Sequence, residues 1–199
     1  MTAFVALGSN VGDSVATVLA AMDRLELLSA TRLRRSSLWR STPVDCPPGS
    51  PDFVNAVVAL EPLPGETPES LLDKLQAIEA GFGRRPKQVL NEPRPLDLDL
   101  IAFGGERRSS ARLTLPHPRA HLRRFVLEPL AEIAPDSILA GQKETVGVLL
   151  GRLEAAEPVQ RLARQSGGAS SPAPGGRGDG ARSRAELATV PSHRVIPQA

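Results

Sequence analysis

The hydrophobic positions along this chain change their spacing repeatedly, and the changes outline an alternating series of elements. Residues 3–7, Ala-Phe-Val-Ala-Leu, are a short apolar run that reads as a strand. Gly8, Ser9, Asn10, Val11 and Gly12 turn the chain, and Asp13 is placed to cap a helix. Val15, Val18, Leu19, Met22 and Leu25 then fall at helical spacing on one face. Residues 31–39 read as a strand rich in polar side chains, with one side toward solvent. Residues 41–52 hold four prolines and Gly49 and predict a long loop, and the β-rich run 53–60 predicts the next strand. Thr67 caps a second helix with Pro68 at its first position, and its inward face is Leu71, Leu75, Ile78 and Phe82. A basic loop over 83–95 leads into a fourth strand over 96–103. Gly104 and Gly105 turn the chain again, and 112–115 reads as a further strand. Residues 125–134 and 146–153 are predicted to be helical.

The order strand, helix, strand, strand, helix, strand predicts an α+β protein of the ferredoxin-like βαββαβ plan: an antiparallel sheet with helices on one face and extra C-terminal helical segments. The opposite face is open except where those later segments cover it. From 166 to 199 the material changes to Gly, Ser, Pro and Arg with few large apolar side chains. Such a stretch cannot offset its ordering entropy, so a domain over 1–165 is expected to be followed by a disordered tail.

Composition narrows the class. The chain has 199 residues, enough for one well-cored domain, and 41% hydrophobic with 23% charged residues is the balance of a soluble globular protein. No apolar run approaches the roughly 18 residues of a membrane span. The N-terminus shows no basic, then apolar, leader pattern. Cys46, alone, has no internal disulfide partner, and a reducing cytoplasm is the expected compartment. A net charge of +2 does not mark a dedicated nucleic-acid binder.

The candidate chemistry lies in Arg94-Pro95-Leu96-Asp97-Leu98-Asp99-Leu100. In a strand, residues two apart share a face, so Leu96, Leu98 and Leu100 suit the helix-packed core while Asp97 and Asp99 share the open face. Their backbones are then about 6–7 Å apart, from a rise of roughly 3.3 Å per residue. Two like charges at that range repel by about 2–3 kcal/mol at an effective dielectric near 20. Hard cations would offset this, and magnesium takes one or two carboxylates together with phosphate oxygens. By itself an Asp-x-Asp pair also fits the polar face of an exposed strand. Its surroundings carry the argument: Arg84, Arg85, Lys87 and Arg94 precede the strand with only Glu92 opposing, and Pro116-His117-Pro118, Arg123 and Arg124 follow it. Cations on both sides of an acidic pair suit an anion that brings its own metals, such as ATP. Aromatics are scarce, with five Phe, one Trp and no Tyr, yet Phe53 and Phe125 flank the predicted site. An RNA-binding module has the same element order, but the aromatic signature it needs on its central strands is missing from 53–60.

A series of motifs in fixed order resembles the 6-hydroxymethyl-7,8-dihydropterin pyrophosphokinase family. They are Ala6-Leu7-Gly8-Ser9-Asn10 with Gly12; Pro51-Asp52-Phe53-Val54-Asn55-Ala56; Gly83-Arg84; Pro93-Arg94-Pro95-Leu96-Asp97-Leu98-Asp99-Leu100; Pro116-His117-Pro118-Arg119; and Arg123-Arg124-Phe125-Val126-Leu127. Together they span about residues 1–150. The resemblance implies that Asp97 and Asp99 hold two Mg2+ ions bridging the phosphates of ATP, the co-substrate. It implies that Arg84 and Arg94 act in catalysis, and that Arg84, Arg94, His117, Arg123 and Gln76 contact the nucleotide. It further implies that Asn55 reads the polar edge of the pterin, that Phe53 and Phe125 stack on it, that backbone near Val44 completes the pocket, and that Glu79 lies near the pterin. The implied reaction is attack of the pterin hydroxyl on the β-phosphorus of ATP with loss of AMP, for folate biosynthesis, by a monomer without nucleic-acid or membrane partners. Three positions depart from the family's common pattern: Pro86 in place of a second arginine, Asn91-Glu92 in place of Trp-Gly, and Ser41 where threonine is common.

Overall fold

A computed structural model describes residues 1–44, 46–84, 94–154 and 158–163. The remainder of the basic loop, including Arg85, Pro86, Lys87, Asn91 and Glu92, and the tail 166–199 lie outside the described residues.

Strand β1 (Ala3–Ser9) leads into helix α1 (Ser14–Glu26), whose first turn is capped by Asp13 accepting from the Ala16 N–H at 3.0 Å. Helix α1 buries Val18, Ala21, Met22 and Leu25. Leu19, expected on this face, is 45% exposed. At about 100° per residue it sits a quarter-turn from the centre of the Val18–Met22–Leu25 stripe, at its margin. The polar segment 31–39 does not form one strand. It divides into β2 (Arg34–Arg35) and β3 (Trp39–Ser41). Both pair with β4 (Phe53–Leu60), but with a one-residue change of register: Arg35 faces Val58, whereas Trp39 faces Asn55. The Ser36 hydroxyl causes the break. It accepts from the Val57 N–H at 2.9 Å, taking the place of a ladder carbonyl.

Helix α2 (Pro68–Gly81) starts with a reciprocal cap, Thr67 accepting from Ser70 N–H and Ser70 Oγ from Thr67 N–H. Leu71 and Leu75 are buried, and Ile78 and Phe82 pack partly buried against the same core. Strand β5 (Asp97–Phe103) follows, then a small hairpin of β6 (Arg108–Ser109) and β7 (Thr114–Leu115), which is the shortened form of the strand expected over 112–115. The later segments form α3 (Arg124–Ile133) and α4 (Val146–Arg152), and β8 (Val159–Arg161) closes the described chain.

The main sheet runs β5-β1-β4-β3-β8, with antiparallel pairing throughout, the strand order of the ferredoxin-like plan. One face is apolar along its whole length. Ala3, Val5 and Leu7 of β1, Val54, Ala56, Val58 and Leu60 of β4, and Leu98 and Leu100 of β5, with Leu96 just before it, join α1 and α2 in one core. The other face is divided. Phe4, Val57, Ala59, Ile101 and Ala102 form a second core under Val126, Leu127 and Leu130 of α3. The other half of that face carries Gly8, Phe53, Asn55, Asp97 and Asp99, and α3 does not cover it. Strand β5 also carries a β-bulge just past this division: Val5 pairs with Leu100 but Phe4 pairs with Ala102, so Ile101 is the extra residue. After it, the inward parity passes from even positions to Phe103. No helix among the described residues is long and apolar enough to cross a membrane.

Leu130 has no exposed surface and is held only by the second core. Leu130→Ala should cost about 2–5 kcal/mol. Urea denaturation checks this; a loss within about 0.5 kcal/mol would mean that α3 contributes little to holding the second face.

Candidate active site

The uncovered half of the sheet is the floor of a cavity of about 300 Å³. Strand β1 supplies Gly8 and Ala6, which keep the floor low; β4 supplies Phe53 and Asn55; β5 supplies Asp97 and Asp99. Arg94, His117, Arg119 and Arg123 stand along one wall, and Phe125 and Val126 enter from the start of α3. Ser41, Thr42, Val44 and Cys46 close the side belonging to the proline-rich loop. Of the residues singled out from sequence, Val44, Phe53, Asn55, Arg94, Asp97, Asp99, His117, Arg123 and Phe125 line this one cavity. Gln76 and Glu79, both on α2, are not in its wall: Gln76 is exposed, and Glu79 is buried behind β5. Arg84 is also outside the wall but reaches Asp97.

Contacts of three residues, Asn10, Asn55 and Arg123, set the frame. Asn10, 3% exposed, accepts from the Arg94 N–H at 2.9 Å and donates to the Pro51 carbonyl at 3.4 Å. One amide thereby ties the turn after β1 to the approaches of both β4 and β5. Asn55 donates through Nδ2 to the Ser41 hydroxyl at 2.9 Å, and both are buried, which fixes the plane of its amide. The guanidinium of Arg123 lies 5.4 Å from the centre of the Phe125 ring, a cation–π distance that holds cation and aromatic together at the cavity edge.

The electrostatics centre on the acidic pair. Asp97 is bound by Arg84 Nη1 at 2.8 Å and by Arg94 Nη1 at 2.9 Å. Burial pushes the Asp99 carboxyl up to about 6, with the charge of Asp97 adding to the shift and Arg123, Arg84 and Arg94 opposing it. Glu79 accepts from the Leu98 N–H at 2.7 Å and pairs with Arg84. Burial pushes it up to about 7 despite the opposing pull of Leu98 N–H and Arg84. His117 is held by its own N–H on the Ile101 carbonyl at 2.8 Å, and its Nδ1 accepts from the Arg119 N–H at 3.3 Å. Burial first, then the charges of Arg123 and Arg119, lower its pKa to about 4. It is therefore neutral at pH 7, and with Nδ1 accepting, the proton sits on Nε2, which is a donor.

Sequence reasoning missed Ser41, Thr42, Cys46 and Arg119 as wall residues. Arg119 carried a signal, as a further cation two places after His117. The others lie at a strand end and in an irregular loop, where no periodicity gives direction. Asn10 also carried one, an Asn in a turn, where its side chain commonly bonds backbone.

The half-covered antiparallel sheet offers paired carboxylates, a group of arginines and two aromatic faces, the groups that transfer of phosphate to a flat acceptor would call on. Residues 4–135 match the family model for 7,8-dihydro-6-hydroxymethylpterin-pyrophosphokinase (HPPK). The 2-amino-4-hydroxy-6-hydroxymethyldihydropteridine pyrophosphokinase of Haemophilus influenzae is 43% identical over 140 residues, 70% of this chain and 85% of that one. The protein of the same name from Pseudomonas aeruginosa is 41% identical over 165 residues, 82% of this chain and 96% of that one. Among solved structures, a Plasmodium falciparum HPPK-DHPS has a similar fold, with a TM-score of 0.57 at 12% identity over 75% of this chain; the match spans 44% of that longer chain. The chain belongs to the HPPK family.

The neutral state of His117 is measurable. Its imidazole proton resonances should titrate with a midpoint of about 4 in the folded protein, against an ordinary 6.5. The unfolded chain takes up this proton near pH 6.5. The stability that the neutral ring contributes is therefore full above that pH and is lost as pH falls toward 4. A midpoint near 6.5 would show the ring to be solvated and outside the influence of Arg119 and Arg123.

Proposed function

We propose that this chain transfers the pyrophosphoryl group of ATP to the hydroxymethyl group of 6-hydroxymethyl-7,8-dihydropterin, giving AMP and the pterin diphosphate used in folate synthesis. Membership of a family of pyrophosphokinases supports the reaction. The observation that carries it to these residues is the meeting, in one cavity, of the acidic pair Asp97 and Asp99, the cations Arg94 and Arg123, and the aromatic pair Phe53 and Phe125.

In this reading the flat pterin lies between Phe53 and Phe125, stacking on their faces. The Asn55 amide, its plane set by Ser41, reads the polar edge of the ring, and backbone near Val44 closes the pocket. Arg94 and Arg123 bind the triphosphate, and neutral His117 donates to it from Nε2 without adding charge. Arg84 enters from the α2 side through its contact with Asp97. Gln76, exposed on α2, reaches the nucleotide only from outside the cavity wall.

Asp97 and Asp99 suit two Mg2+ ions. They are hard oxygen donors on one strand face, and the raised Asp99 carboxyl marks a place where added positive charge is favourable. When bound, such ions would neutralise phosphate charge and polarise the β-phosphoryl group. The residues of the chain do the positioning. They hold the hydroxyl oxygen in line with the β-phosphorus, so that a bond forms there as the bond from β-phosphorus to the oxygen of AMP breaks. No covalent enzyme intermediate is required. The lone Cys46 is in keeping with a reducing cytoplasm, and we take the chain to act there as a monomer.

Incubation with magnesium, ATP and the hydroxymethyl-dihydropterin should yield AMP, whereas ADP would mean single phosphoryl transfer. Asp97→Ala and Asp99→Ala should each lower turnover by several orders of magnitude at saturating magnesium, with the fold retained by circular dichroism. Activity above about a tenth of the original in either variant would remove the two-metal assignment.

A further inference from the structure

Strand β5 is the edge of the main sheet, and the Leu98 amide turns away from β1 toward that edge. Among the described residues no strand is there to receive it. Its acceptor is Glu79 Oε1 of α2 at 2.7 Å. The same oxygen binds Nη1 of Arg84, and that nitrogen also binds Asp97 Oδ1 at 2.8 Å. Leu98 is the residue between the two aspartates, so its peptide plane governs the direction in which both carboxylates leave the strand. One glutamate thus holds the backbone between Asp97 and Asp99 and, through Arg84, the carboxylate of Asp97.

Glu79 is only 5% exposed, on a helix face otherwise made of Leu71, Leu75 and Ile78. Placing a carboxylate there is costly unless its charge is used. A glutamine carbonyl would serve the Leu98 amide equally well, so the hydrogen bond alone does not account for a charge at this depth. What needs the charge is Arg84, whose other carboxylate partner among the described residues is Asp97. Glu79 also stands outside the cavity wall, away from Phe53 and Phe125.

We propose that Glu79 is a positioning residue for phosphoryl transfer rather than a substrate contact: it fixes the peptide between the two aspartates and shares the Arg84 guanidinium with Asp97, so that this arginine is held without being drawn wholly onto the acidic pair. The proposal rests on the function proposed above.

Two variants separate its parts. E79Q keeps an acceptor for the Leu98 amide and removes the charge. E79L removes both. In E79Q, amide exchange at Leu98 should stay as slow as in the unaltered protein and the pterin Kd, by calorimetry, should be unchanged, while kcat falls by at least about tenfold. In E79L, exchange at Leu98 should also become faster. Starting from R84Q, adding E79Q should cost nothing further in kcat, since the charge acts through Arg84. Full kcat in E79Q would overturn the proposal, as would a raised pterin Kd with kcat unchanged, which would make Glu79 a substrate contact. If E79L does not fold, E79Q and the R84Q pair still decide. Failure of the underlying function would look different: the unaltered enzyme itself would form no AMP.

Discussion

Two carboxylates on one face of one strand repel each other, and much of the molecule is arranged around keeping them there. The strand geometry that brings Asp97 and Asp99 together also aims Leu96, Leu98 and Leu100 into the main core, so neither aspartate can relax without moving a buried leucine. The repulsion is met from three directions. Arg84 comes from the end of α2, Arg94 from the approach to β5, and Arg123 from the start of α3. Each is delivered by a different element, so the acidic pair depends on the whole fold being assembled.

The second face of the sheet shows how an apolar core and an open site coexist on the same strands. Phe4, Val57, Ala59 and Ile101 are covered by α3, while Gly8, Asn55 and Asp99, on the same strands and the same face, are not. Helix α3 belongs to both halves: Leu127 and Leu130 pack in the core, and Phe125 at its start faces the cavity. The outer edge of β5 is also provided for. Its Leu98 N–H goes to Glu79 and its Ile101 carbonyl receives His117 N–H, so an edge that could pair with another chain is occupied by groups of the site.

Much of this was legible in the sequence because it follows from local rules. The alternation of Leu and Asp over 96–100 fixes which side chains go in and which go out. Asp13 and the Thr67-Pro68 pair announce helix starts through donors that any helix leaves unsatisfied. What was not legible depends on partners far along the chain. Ser36 breaks the 31–39 strand because Val57 is opposite it, and nothing within 31–39 specifies Val57. Leu19 is exposed because the main core is centred on Val18 and Met22, a matter of how α1 is rotated on the sheet. Helical spacing alone reads Glu79 as a polar residue on an amphipathic helix and the family resemblance puts it near the pterin; only the approach of α2 to β5 shows it holding Leu98.

The bulge at Ile101 separates strand β5 into two lengths whose alternation is set independently. Before it, odd positions carry the acidic pair toward the cavity; after it, an odd position, Phe103, fills the opposite core. A strand without such a break transmits any gained or lost residue along its whole length, exchanging inside for outside at every position. Here the sites of tolerated length change become asymmetric. A one-residue deletion at Ile101 would restore plain alternation and leave the acidic pair in register, although it removes a buried side chain of the second core and the carbonyl that holds His117, whereas the same deletion between Arg94 and Asp97 would shift the acidic pair relative to the residues that hold it. Length variation among relatives should therefore be found on the Phe103 side of the bulge and be purged from the side that precedes it.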